Sequence, residues 1–208
     1  MNNLTFTAII PARYASTRFP GKPLARIGAQ SMISRVYGQV KKAVDDVWVA
    51  TDDQRIYDEC TRIGANVVMT SPDHPSGTDR INEAVRLIGC KSDVVINVQG
   101  DEPFINPQQI TDLKSCFDDA DTHIATLARK FDAAKGFEAL FDPNLVKVVF
   151  SRNMQALYFS RSIIPYVRGA EWKEWLDKTT FYSHVGVYAY RREVLSQVTA
   201  LPLSLIHI

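Results

Sequence analysis

Short runs of apolar and β-branched residues recur along the chain. Between them lie longer stretches whose apolar positions repeat every three or four residues. Thr5–Ile10, Val47–Thr51, Asn66–Met69, Val94–Val98 and His123–Ala128 predict strands. Several are apolar on both faces, as expected where helices cover both sides of a parallel sheet. In Ser31–Val44 the residues Met32, Ile33, Val36, Tyr37, Val40 and Val44 share one helical face, and Ser31 is placed to cap it. Asp53–Ile63, Thr78–Ile88 and Pro107–Phe117 predict further helices, the last with its proline in the first turn. This alternation predicts an α/β fold with a doubly wound, mostly parallel sheet.

Past Asp142 the rhythm changes. Leu145–Phe150 and His184–Tyr190 predict two more strands, and Met154–Phe159 is a short apolar run. Gly169–Thr180, with Trp172 and Trp175, reads as an exposed helix or an excursion. No repeat and no Gly-, Ser- or Pro-rich linker divides the 208 residues, so a single domain over 1–208 is expected.

Composition narrows the partners. With 46% hydrophobic and 23% charged residues the chain can bury a sizeable core beneath a charged surface. The formal net charge is only +1, with basic residues scattered singly, which argues against a nucleic-acid partner and for a small anionic ligand. The apolar N-terminal run is too short to span a bilayer and lacks a basic leader, so no membrane partner is expected. Cys60, Cys90 and Cys116 are odd in number, far apart and without metal-ligand spacing. They read as reduced, core-forming thiols of a cytoplasmic protein.

In a doubly wound sheet the chemistry lies in loops at the carboxyl ends of the strands. The first such loop, 11–24, carries Arg13, Arg18 and Lys22 with hydroxyls and Gly21. Fixed cations and backbone N–H groups there suit a polyphosphate, although neither GxxxxGK[ST] nor GxGxxG is present. A solvated basic loop is the alternative. The second loop ends in Ser76-Gly77-Thr78-Asp79-Arg80, where hydroxyls and backbone donors at a helix start can hold an anion. Alternatively Thr78 merely caps the helix and Arg80 pairs locally. His74 in this loop reads as a turn residue. The third loop, Asn97-Val98-Gln99-Gly100-Asp101-Glu102-Pro103, sets a carboxylate just past a buried strand, suited to hold Mg²⁺ against phosphates; a structural turn with solvated acids is the alternative. Farther on, Arg161 offers a planar fork for a substrate carboxylate. His184 opens a strand and on its own reads as structural.

Together these blocks resemble the 3-deoxy-manno-octulosonate (Kdo) cytidylyltransferases. The resemblance runs through Ile9–Tyr14, Pro20–Leu24, Val49–Asp52, Ser76–Arg80, Asn97–Pro103, Ala156–Arg161 and His184–Tyr190, in order over nearly the whole chain. It implies a nucleotide-diphospho-sugar transferase-like fold, Mg²⁺ dependence and a homodimer. It implies that Arg13 and Lys22 hold the triphosphate of CTP and act in catalysis, with Ser16 nearby. Ala12, Arg80 and the turn Ser76, Gly77, Thr78 are implied to bind the nucleotide. Asp101 is implied as the metal ligand, and Gln99, Arg161, His184 and Tyr188 as contacts to Kdo. The implied product serves lipopolysaccharide assembly.

The resemblance also implies a following acidic helix that touches the sugar and an aspartate-bearing Val/Ile-Asp-Thr-Pro segment that completes the metal site. Neither is present, and Leu205–Ile208 do not match the expected continuation. The chain is therefore read as truncated or altered after Ser204. A cytidylyltransferase for 8-amino-Kdo or another ulosonic acid is the nearest rival. A non-catalytic nucleotide-binding module is the rival from another class. A dinucleotide-dependent oxidoreductase shares the βαβ rhythm but requires the glycine fingerprint missing here.

Overall fold

The computed structural model describes residues 4–15 and 19–202. In chain order its strands are β1 (Phe6–Ala12), β2 (Arg26–Ile27), β3 (Gln30–Ser31), β4 (Asp46–Thr51), β5 (Asn66–Met69), β6 (Val94–Asn97), β7 (Ile124–Lys130), β8 (Lys147–Phe150), β9 (Ala156–Ser160) and β10 (Tyr182–Arg191). Its α-helices are α1 (Met32–Val40), α2 (Gln54–Arg62), α3 (Gly77–Leu87), α4 (Pro107–Ser115), α5 (Trp175–Lys178) and α6 (Arg192–Thr199). The chain divides into two compact units, one of residues up to Ala125 together with those from Val187 on, the other Thr126–Gly186.

The first unit has the α/β alternation that the apolar pattern predicts. Strand order is β5-β4-β1-β6-β10. β1 lies parallel to β4 from Thr7↔Asp46 to Ala12↔Thr51 and parallel to β6 from Phe6↔Val94 to Ile9↔Asn97. β4 and β5 are also parallel, and only the Tyr188–Arg191 end of β10 runs antiparallel, against β6. The chain moves outward from β1 to β5 and then returns to β6 on β1's other side. This reversal makes the gap beyond β1 and β6 a switch point, where crossing loops part and leave a crevice.

Burial follows from helices on both faces. Ile9 and Ile10, neighbours pointing to opposite faces of β1, are both fully buried. Each contributes about 1.5–3 kcal/mol relative to an exposed side chain. Ile9 packs with Ala50, Ile81, Ala84, Val95 and Leu195.

Helix starts are fixed by side chains. The Ser31 hydroxyl accepts from Ser34 N, as the sequence predicts, and Asn106 caps α4 ahead of Pro107. The third helix begins earlier than predicted. Ser76, not Thr78, is the N-cap, accepting from Asp79 N at 3.2 Å. Helix α6 and the ribbon β2–β3 were not legible. The first buries only Leu195 fully, and the second is two residues per strand.

In the second unit β9 pairs with β8, β8 meets β10 at Lys147↔Ser183, and β7 pairs with β10. A separate core of Phe131, Phe137, Leu140, Trp175 and Phe181 fills it. The stretch read as an exposed helix or an excursion is a 3₁₀ turn, Trp172–Glu174, running into α5, and Trp175 there is buried rather than exposed. Among the cysteines Cys60 is buried as expected, while Cys90 is half-buried and Cys116 exposed just past the end of α4.

Candidate active site

At the carboxyl ends of β1, β5 and β6 the three predicted loops line one cavity of about 620 Å³. The first loop contributes Pro11, Ala12, Arg13, Phe19, Lys22 and Pro23. The second gives His74, Pro75, Ser76, Gly77 and Arg80, and the third Gln99, Gly100 and Asp101. Ser16 and Arg18 lie outside the described residues.

Two glycines permit this convergence. A Cβ on Gly100 would stand 2.8 Å from the Pro11 carbonyl oxygen, so only glycine lets the third loop lie against the end of β1. Gly21 has φ +71°, a left-handed conformation that glycine adopts without strain, and its N–H donates to Tyr14 O at 2.9 Å. That turn starts the short 3₁₀ segment Lys22–Leu24 and faces Lys22 toward the third loop. Lys22 Nζ donates to Asp101 Oδ2 at 2.6 Å, and both side chains remain partly open to solvent.

Arg13 is exposed at the cavity, available to a ligand's phosphates. Arg80 is different. Only 4% exposed, it donates to Thr70 Oγ1 at 2.6 Å and to Asp52 Oδ2 at 2.7 Å. It lines the cavity as a wall pinned to the ends of β4 and β5, by partners 28 and 10 residues away in the chain. Ala12 is buried and can offer only backbone. Ser76 is committed to capping α3 and donates to Asp79 Oδ2 at 2.5 Å. Thr78 does not line the cavity; it is hydrogen-bonded with Tyr190.

His74 was missed. It lines the cavity and its Nε2 lies 2.6 Å from Glu83 Oε2. The His74 hydrogen bond holds Glu83's carboxyl below the usual range, helped by Ser71 N–H. Its sequence signal was weak, because the partner stands nine residues on, across the start of a helix.

The four expected sugar-acid contacts are distributed between the units. Gln99 lines the cavity, with Nε2 3.3 Å from Asn97 Oδ1. Tyr188 is the register partner of Asn97, and burial raises its phenol pKa. Arg161 and His184 belong to the second unit. Arg161 lines a separate cavity of about 740 Å³ with Phe137, Phe141, Tyr166, Trp172 and Trp175. His184 Nε2 is 2.9 Å from Thr126 Oγ1, its ring meets Phe159 edge-on, and burial lowers its pKa.

Fixed cations, a lone carboxylate and backbone donors around a crevice of this size suit a nucleoside triphosphate. Comparison with known proteins agrees. The cytidylyltransferase family profile matches residues 7–206. The 3-deoxy-manno-octulosonate cytidylyltransferase of Parabacteroides distasonis is 57% identical over 97% of this chain and 80% of its own length. That of Bacteroides thetaiotaomicron is 55% identical over the same shares. A solved CMP:2-keto-3-deoxy-manno-octonic acid synthetase complexed with CTP superposes with a TM-score of 0.87 at 42% identity, covering 97% of this chain and 80% of that one. Loop blocks, sheet order and these likenesses converge: the chain belongs to the 3-deoxy-manno-octulosonate cytidylyltransferase family.

Proposed function

We propose that this protein transfers the cytidylyl group of CTP to 3-deoxy-manno-octulosonate, giving CMP-Kdo and pyrophosphate. The observation that carries the reading is the convergence of Arg13, Lys22, Gln99 and Asp101 on one crevice at the switch point. The anomeric hydroxyl oxygen bonds to the α-phosphorus as the bond from that phosphorus to the β-phosphate oxygen breaks. The hydroxyl proton passes to solvent, and pyrophosphate carries away the bonding electrons. Arg13 and Lys22 hold the triphosphate and stabilise charge on the leaving group. Ala12, Ser76, Gly77 and Arg80 flank the nucleoside, with Thr78 holding the turn from behind through Tyr190. Gln99, Tyr188, Arg161 and His184 contact the sugar acid.

Mg²⁺ is part of the proposal. Among the described residues Asp101 is the one carboxylate lining the cavity, and no group of three or more His, Cys, Asp or Glu side chains gathers there or elsewhere. A half-exposed carboxylate beside phosphates fits an ion that keeps several waters and takes few protein ligands. When bound, the ion supplies charge neutralisation on the phosphate oxygens.

Exposed apolar side chains at Met154, Leu157 and Tyr158 support a homodimer. Unpaired cysteines accord with a cytoplasmic setting. Among the described residues no helix is long and apolar enough to cross a membrane. The product serves lipopolysaccharide assembly. The test is pyrophosphate release from each nucleoside triphosphate with Kdo, 8-amino-Kdo or no acid. Release confined to CTP with Kdo is expected; equal release without acid would overturn the reading.

A further inference from the structure

Lys147, on β8, is fully buried, yet no carboxylate lies within ion-pair distance of it among the described residues. Its Nζ instead donates to Leu145 O at 2.7 Å and to Asp142 O at 3.2 Å. These two carbonyls are the ends of the turn Asp142-Pro143-Asn144-Leu145. The turn is closed by Leu145 N on Asp142 O at 3.1 Å and by Asn144 N on Asp142 Oδ1 at 2.8 Å. Between them, the Pro143 carbonyl accepts from Arg161 Nη1 at 2.5 Å. The ammonium thus staples the turn on which the guanidinium rests.

Strand register strengthens the link. Lys147 stands opposite Ser160 on β9 and Ser183 on β10, so Arg161 and His184 each follow a residue paired with it. His184 N also donates to Val146 O at 2.8 Å, directly beside Lys147. Burial pushes the ammonium's pKa down, the Asp142 carboxylate offsets part of this, and the Arg161 charge adds to the lowering. An apolar side chain of similar length would avoid the cost of burying a charge. A stapled turn accounts for keeping the lysine.

We infer that Lys147 is a positioning residue for the sugar acid: it fixes the Asp142–Leu145 turn and thereby the orientation of Arg161. The inference rests on the proposed role of Arg161 as the grip on the substrate carboxylate. Lys147→Met removes every donor at nearly constant length, whereas Lys147→Gln retains two N–H donors.

The experiment measures KM for Kdo and for CTP by pyrophosphate release in both variants, in Arg161→Ala, and in the Lys147→Met/Arg161→Ala pair. Lys147→Met is expected to raise KM for Kdo about tenfold, the scale of a misplaced charge-assisted contact, with KM for CTP within about twofold. Lys147→Gln should recover part of the loss, and the double variant should be no worse than Arg161→Ala alone, because both act through one contact. Equal losses toward both substrates, or an additive double variant, overturn the inference. If Arg161→Ala raises KM for Kdo and Lys147→Met does not, the inference alone falls. If Arg161→Ala itself leaves KM for Kdo unchanged, the carboxylate reading falls and the inference with it. If neither Lys147 variant folds, the lysine serves folding, and the positioning role is likewise overturned.

Discussion

Lys22 and Asp101 form an ion pair with Nζ 2.6 Å from Oδ2, although 79 residues separate them. One comes from the loop after β1 and the other from the loop after β6, on either side of the switch point. Their expected ligands, a phosphate and a divalent cation, compete with this pair. Each ligand must draw one partner from the other, so nucleotide and metal are expected to bind with mutual support.

Lys22→Ala should lower kcat by ~10²-fold or more, the scale of losing one transition-state charge contact. Steady-state pyrophosphate release at saturating substrates checks this. Unchanged kcat would remove Lys22 from the chemistry and leave it as a solvated loop residue.

Asp101→Asn keeps the size and a hydrogen-bonding oxygen while removing the charge that pairs with Lys22 and that is proposed to hold the metal. The Mg²⁺ concentration for half-maximal rate should rise by about tenfold or more, since the ion uses so few protein ligands. Chelation with EDTA should stop turnover of the unaltered protein. A Mg²⁺ titration that does not shift in the variant places the metal elsewhere.

The cavity-lining loops were legible because their candidate residues are compressed into short segments directly after apolar strands. Pro20-Gly21-Lys22 and Gly100-Asp101 could be read without knowing the fold. Arg80 could not. Its partners Asp52 and Thr70 come from the ends of two other strands, so its burial exists only once β4 and β5 pair. Trp175 looked exposed for the same reason, since Phe131, Phe137, Leu140 and Phe181 converge on it from scattered positions. The Ser76 cap was masked by Thr78, an equally good capping type two residues on.

Arg80→Ala should destabilise the protein by about 3–5 kcal/mol, because it leaves Asp52 and Thr70 without their buried partner. Arg80→Lys should recover little, since a point charge cannot serve both acceptors in fork geometry. Urea unfolding checks both. A loss under about 1 kcal/mol would show that Arg80 is not a structural wall.

His184 gives a pH signature. Burial holds its imidazole below the ordinary value, so folding favours the neutral ring. The unfolded chain binds the extra proton first as pH falls, near ~6.5. Stability tied to this group is complete above that pH and is lost progressively as pH drops toward the folded value. His184→Gln should flatten the fall in thermal midpoint as pH drops below about 6.5. Parallel curves for the two proteins would place the titration elsewhere.

On the proposed function, one crevice brings the α-phosphorus of CTP to the anomeric oxygen of Kdo. Phosphorus NMR of a reaction with CTP and Kdo carrying ¹³C at the anomeric carbon tests it most directly. Pyrophosphate and a new phosphodiester are expected to appear together in equal amounts, with the phosphodiester signal split by the labelled carbon. Pyrophosphate accompanied by free CMP, or no pyrophosphate while CTP remains bound, would contradict it.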